Sequence, residues 1–150
     1  MGTAIRDYHL TGKASRLRVL SSMFDEDEMP VAHLFRSYAE MPPLERRAID
    51  EARGRVLDVG AGAGCHALAL QQRGLYVKAV DISPLSCEVM RQRGIADVEC
   101  VNIFNPQLQG NFDTILLLMN GTGIAGKLSR LPALLSRLRQ LMAEGAQILI

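Results

Sequence analysis

The chain has 150 residues, 48% hydrophobic and 22% charged, the make-up of one well-cored globular domain rather than of a disordered segment. A formal net charge of +1, with 5% aromatics and no Trp, supplies neither a field for phosphates nor stacking platforms for bases, so nucleic acid is not the favoured partner. Cys65, Cys87 and Cys100 are odd in number and widely spaced, which excludes a zinc motif and fits reduced thiols in the cytoplasm, with no metal expected.

Residues 1–53 open without the apolar run of a signal peptide. They are rich in charge, carry the acidic run Asp25-Glu26-Asp27-Glu28, and read as a helical extension. Pro42-Pro43 opens and Gly54 closes a short helix over 44–53. From Arg55 the pattern becomes regular. A strand over 56–59 runs into glycines, a helix over 65–73 ends at Gly74, and a strand over 76–80 ends at Asp81. Ser83 then serves as N-cap and Pro84 as first helical residue, with Gly94 as a left-handed terminator. A third strand covers 97–101. The run 114–119 is apolar without alternation, as in a parallel strand buried on both faces, and is far too short to cross a bilayer.

Leu131, Leu134, Leu135, Leu138, Leu141 and Met142 form one apolar helical stripe, with Arg130, Arg137 and Arg139 off it as a solvated face. Gly145 follows, and 146–150 begins another strand, whose apolar edge leads us to expect further protein beyond Ile150. Strand–helix alternation of this kind gives an α/β fold, a doubly wound, mostly parallel sheet with helices on both faces. Ligands on such sheets bind beyond the carboxyl ends of the strands, here the loops after Val59, Val80, Val101 and Met119.

The first of these loops is Asp58-Val59-Gly60-Ala61-Gly62-Ala63-Gly64. Its glycines suit a tight turn and the close approach of a ligand to the backbone. They are spaced G-x-G-x-G, and Cys65 stands where the dinucleotide fingerprint needs its last Gly. Asp58, two residues before the first Gly, would repel a diphosphate but suits a ligand bearing ammonium or sulfonium charge. Asp81, 21 positions after Gly60, can accept from both hydroxyls of a ribose or cap the turn into Ser83.

In these motifs residues 55–150 resemble the class I S-adenosylmethionine-dependent methyltransferases, with VLDVGAGAG as first motif and VKAVDIS as second. The resemblance implies a Rossmann-like methyltransferase fold, normally of seven strands, whose last strands are missing here. It implies S-adenosylmethionine as cofactor and S-adenosylhomocysteine as product. Gly60, Ala61, Gly62 and Gly64 would form the cofactor loop, with Asp58 near the methionine end and Asp81 on the ribose. Ile82 would cover one adenine face; Ile103 would cover the other with Asn102 accepting from the adenine amino group, or both would merely shape a turn. Met119 and Asn120 open the loop that faces cofactor and acceptor. That loop reads Asn120-Gly121-Thr122-Gly123 rather than the Asn/Asp-Pro-Pro-aromatic of enzymes acting on base amines, so the implied acceptor is a small molecule.

Two segments follow from this: a cover over 1–53 and a cofactor-binding core over 54–150, incomplete at its C-terminus. Acceptor contacts are expected among Tyr8, Arg36, Tyr38 and Asn120, with Asp7 and His9 nearby in sequence. His66 reads as a packed helix-start residue. Methyl transfer from a cationic sulfur releases a neutral thioether, so no catalytic dyad is required and none is assigned. The rival readings are an NAD(P)-dependent oxidoreductase and a non-catalytic cofactor-binding subunit.

Overall fold

The computed structural model describes residues 1–20 and 25–150. Helix α1 (Gly2–Thr11) ends at Gly12, whose left-handed backbone lets its N–H return to the Tyr8 carbonyl. The next part departs from the expected helical extension. Strands β1 (Leu17–Val19) and β2 (Asp27–Met29) form an antiparallel ribbon, with Arg16 paired to Glu28 and Arg18 to Glu26. Opposite charges at alternate positions match across two strands, a period-2 pattern obscured by the polarity of the segment. The remainder of the expected extension, at 21–24, lies outside the described residues. Two 3-10 turns, Val31–Leu34 and Tyr38–Glu40, lead to α2 (Pro43–Glu51).

Five strands then form one sheet in the order β5-β4-β3-β6-β7. They are β3 (Arg55–Val59), β4 (Tyr76–Asp81), β5 (Asp97–Cys100), β6 (Phe112–Leu116) and β7 (Met142–Leu149). All four pairings are parallel, so the expected doubly wound architecture stands. Helices α3 (Cys65–Gln72), α4 (Pro84–Gln92) and α5 (Leu131–Leu141) make the crossovers. Adjacent strand residues serve opposite faces. Val56, Val77 and Ala79 pack with α2, α3 and α4, while Leu57, Val80 and Ile115 pack with α5.

Three boundaries differ from the sequence reading. The strand expected over 114–119 stops at Leu116, because Met119 and Asn120 take left-handed backbone, φ 53° and 64°, and turn the chain sharply. The α5 stripe narrows to Leu134, Leu138 and Leu141; Leu135 is exposed and Met142 already begins β7. Gly145 lies inside β7, at φ 70°, within an irregularity between the Phe112–Met142 and Thr114–Gln147 partners.

The N-terminal section is seated on the carboxyl-end side of the sheet. Ile5 and Leu34 pack with Ala63 of the glycine loop and Val89 of α4. Arg93 fastens the same junction. Its guanidinium donates to the Ala63 and Phe35 carbonyls and lies 4.7 Å from the Phe35 ring centroid.

Candidate functional site

The turn from β3 into α3 is built by backbone. The Gly60 and Ala61 N–H groups both donate to the Val80 carbonyl, at 2.9 and 3.1 Å, which locks the loop to the end of β4. Gly62 donates to one Asp81 carboxylate oxygen at 2.9 Å, and Ser83 N–H donates to the other at 2.9 Å. Asp81 therefore does cap the turn, but a carboxylate offers about four acceptor positions and keeps capacity for hydroxyls. The three loop glycines differ in duty. All have positive φ, yet at Gly62 a Cβ would enter open space, whereas at Gly64 it would stand 2.2 Å from Ile95 Cδ1. Gly64 thus serves the packing of α3 against the Ile95 turn.

A cavity of about 340 Å³ opens beside this loop, lined among others by Gly60, Asp81, Ile82, Asn102 and Ile103. These residues come from three successive strand ends, as the switch-point rule requires. Ile82 is 71% exposed there, an apolar side chain left open beside the cavity. The Asn102 side-chain oxygen accepts from Phe104 N–H at 2.9 Å and so shapes the turn, with a second lone pair left on that oxygen. The wall also includes Phe104, Ile124 and Arg130, which the sequence reading did not assign. Arg137 explains how the wall is held. Its guanidinium donates to the carbonyls of Ile103, Asn105 and Leu108, so it is not part of a solvated face.

Asp58 does not line this cavity. It is buried at the end of β3, and its Oδ2 has no hydrogen-bond partner among the described residues. Burial, helped by the charge of Asp81, raises its pKa above the usual carboxylate range; His66 and the Ala67 N–H oppose the rise. His66 is buried as expected, with Nε2 2.9 Å from Glu45 Oε2. Burial disfavours the charged ring, but Cys65, Asp58 and Glu45 outweigh it and push the pKa up to about 9. Glu45 also pairs with Arg36. Burial pushes the Glu45 pKa up, but Arg36 and His66 together hold it below the ordinary value.

The expected acceptor residues are dispersed. Met119 and Asn120 line a different cavity, of about 650 Å³, with Leu44, Glu45 and the end of β7. Arg36 reaches Met119 Sδ at 3.4 Å and is nearly buried, with no partner for its Nε among the described residues. Tyr8 and Arg36 share a third cavity, of about 390 Å³, with His33 and Glu40. Tyr38 stands elsewhere. Its hydroxyl donates to Asp50 at 2.8 Å and its ring lies under Arg73, which ties α2 to the end of α3. Asp7 pairs with Arg6, and the His9 ring stacks near Phe35. No helix among the described residues is long and apolar enough to cross a membrane.

A methyltransferase-domain family matches residues 56–145 of the chain. A solved SAM-dependent methyltransferase from Bacteroides fragilis, in complex with S-adenosyl-L-homocysteine, is 54% identical with a TM-score of 0.91. That match covers 98% of this chain and 61% of the other, so the chain spans about three fifths of the relative's length. A sugar N-methyltransferase from a Streptoalloteichus species is 21% identical, with a TM-score of 0.65, over 89% of this chain and 58% of that one. An amino pentose methyltransferase from Micromonospora echinaspora is 20% identical, with a TM-score of 0.55, over 79% and 54%. The latter two share the fold. No curated protein sequence matches the chain. The matched residues run from the first strand of the sheet through α5, more than half of the sequence, and the chain belongs to the methyltransferase-domain family.

Proposed function

We propose that the chain binds S-adenosylmethionine in the 340 Å³ cavity and forms the donor-binding part of a methyltransferase acting on a small molecule, with S-adenosylhomocysteine as product. The observation that carries this reading is the charge and space around the glycine loop. Gly62 leaves open room at its Cα, and behind the loop Asp58 keeps a buried carboxylate oxygen without a partner. An unsatisfied buried acceptor costs about 1–3 kcal/mol, which a cationic ligand group offsets and a diphosphate aggravates. The 54%-identical relative from Bacteroides fragilis, in complex with S-adenosyl-L-homocysteine, supports the same choice.

In this reading Asp81 takes the ribose hydroxyls, and Ile82 and Ile103 cover the adenine. Asn102 holds the turn that carries Ile103. Gly60, Ala61 and Gly62 pass beside the donor, and Asp58, buried behind the loop, attracts its ammonium end through the loop or through water. Met119 and Asn120, on the strained turn after β6, look towards the acceptor. When bound, the donor supplies a methyl carbon on a cationic sulfur that leaves as a neutral thioether. The protein therefore needs to align the acceptor and exclude water, and alignment of this kind contributes up to about 7–11 kcal/mol. Residues 1–53, with Tyr8 and Arg36, cover the acceptor. We assign the compartment to the cytoplasm, where Cys65, Cys87 and Cys100 stay free thiols.

Calorimetric titration with S-adenosylhomocysteine and, separately, with NAD+ tests the donor. Binding of the first and not the second is expected; binding of NAD+ alone overturns the reading in favour of an oxidoreductase. Release of labelled methyl groups into the small-molecule fraction of a cell extract tests the acceptor class. Binding without any transfer would point to a non-catalytic subunit.

A further inference from the structure

We infer that Arg130 is a further donor-binding residue, its guanidinium closing the adenine end of the cavity by stacking on the base; this rests on the donor reading above. Asp81 and Arg130 are the two charged side chains in the cavity wall. The donor's sulfonium repels a second cation and its amino-acid carboxylate attracts one, so position decides which end Arg130 meets, and the position favours the base. The guanidinium lies 5.7 Å from the centroid of the Phe104 ring, and Phe104 directly follows Ile103 on the adenine wall. A planar, weakly hydrated guanidinium stacks readily on aromatic faces, and adenine offers a second such face beside the first.

Arg130 closes the 3-10 turn Leu128–Arg130, whose end suits a cation, and is also the N-cap of the 11-residue helix α5, where it makes no side-chain cap and meets the positive end of the longer helix's dipole. Its side chain is exposed, with Phe104 as its ring neighbour. The helix also sets its register against the wall: Arg137, two turns on, holds the carbonyls of Ile103, Asn105 and Leu108, so α5 fixes both the adenine wall and the side chain facing it.

The test is calorimetry on the wild-type protein, Arg130→Met and Arg130→Lys with two probes, S-adenosylhomocysteine and 5′-methylthioadenosine, which keeps the adenosine and lacks the amino acid. Arg130→Met is expected to weaken both probes by about fivefold to thirtyfold, with a Tm equal to or above that of the wild type. Arg130→Lys, which keeps charge but loses the plane, should recover only part of that loss. Unchanged binding of both probes by Arg130→Met overturns the inference. So does a loss confined to S-adenosylhomocysteine, which would put Arg130 at the amino-acid end. A wild-type protein that binds neither probe refutes the donor reading itself, a result distinct from either.

Discussion

The sheet with its glycine loop and the N-terminal cover are stabilised in different ways. The sheet is held by apolar side chains that alternate between two packed faces, with a loop whose amides are spent on Val80 and Asp81. The cover adds few buried apolar groups of its own and is fastened by polar straps. Arg93 reaches two carbonyls, and Glu45 joins Arg36 of the cover to His66 of α3. Packing is insensitive to pH and tolerant of ligand loss. Polar straps respond to both, so the N-terminal segment is the part whose stability can be tuned.

The largest effect that would sharpen this contrast lies in the packed region. Gly64→Ala combines φ 79° with a Cβ 2.2 Å from Ile95, and should cost about 2–4 kcal/mol in urea unfolding. Gly64→Ala unfolding like the wild type would show that the loop is not packed as described.

The straps should show in pH. His66 has its folded pKa raised to about 9, above the ordinary 6.5, so its contribution is fully present below about pH 6.5 and is lost as pH rises through 9. Between pH 7 and 9.5 the protein should lose roughly 2 kcal/mol that Glu45→Gln, already weakened, does not lose to the same extent. Parallel pH curves for the two proteins would break the comparison.

Asp58 should separate binding from stability. Its raised pKa means the carboxylate destabilises the folded chain above the ordinary carboxylate range, so Asp58→Asn should leave the Tm unchanged or higher. The same change should weaken S-adenosylhomocysteine about tenfold or more, roughly 1.4 kcal/mol. A lowered Tm with unchanged affinity would make Asp58 structural. Of the two glycine changes, Gly62→Ala has the smaller stability cost, about 1 kcal/mol from strain at φ 58° in open space. Its affinity for the donor should fall well beyond that stability change, and equal affinity would remove Gly62 from the site.

Much of this molecule could be read from residues alone because its signals are local. Ser83-Pro84 opens α4 through a Ser83 side-chain bond to Ser86 N–H, and Gly94 closes it at φ 88°. Asp81 falls at the end of its strand because Ser83-Pro84 starts the next helix two residues on. Spacing alone brought Gly60, Asp81, Ile82 and Ile103 to one cavity, since parallel crossovers force successive strand ends together. What spacing could not give was the use of each side chain once neighbours arrived. Tyr38 became a brace to Asp50, Gly64 a packing contact, and Asn102 the anchor of its own turn. Arg130 and Arg137 look alike on a helical wheel, yet one enters the cavity wall and the other binds three carbonyls. The sequence by itself determined the parallel sheet and the loops that carry the site, because periodicity and turn chemistry act over a few residues. Only the tertiary structure decided which polar groups are buried, paired or left open, because that depends on contacts between segments tens of residues apart.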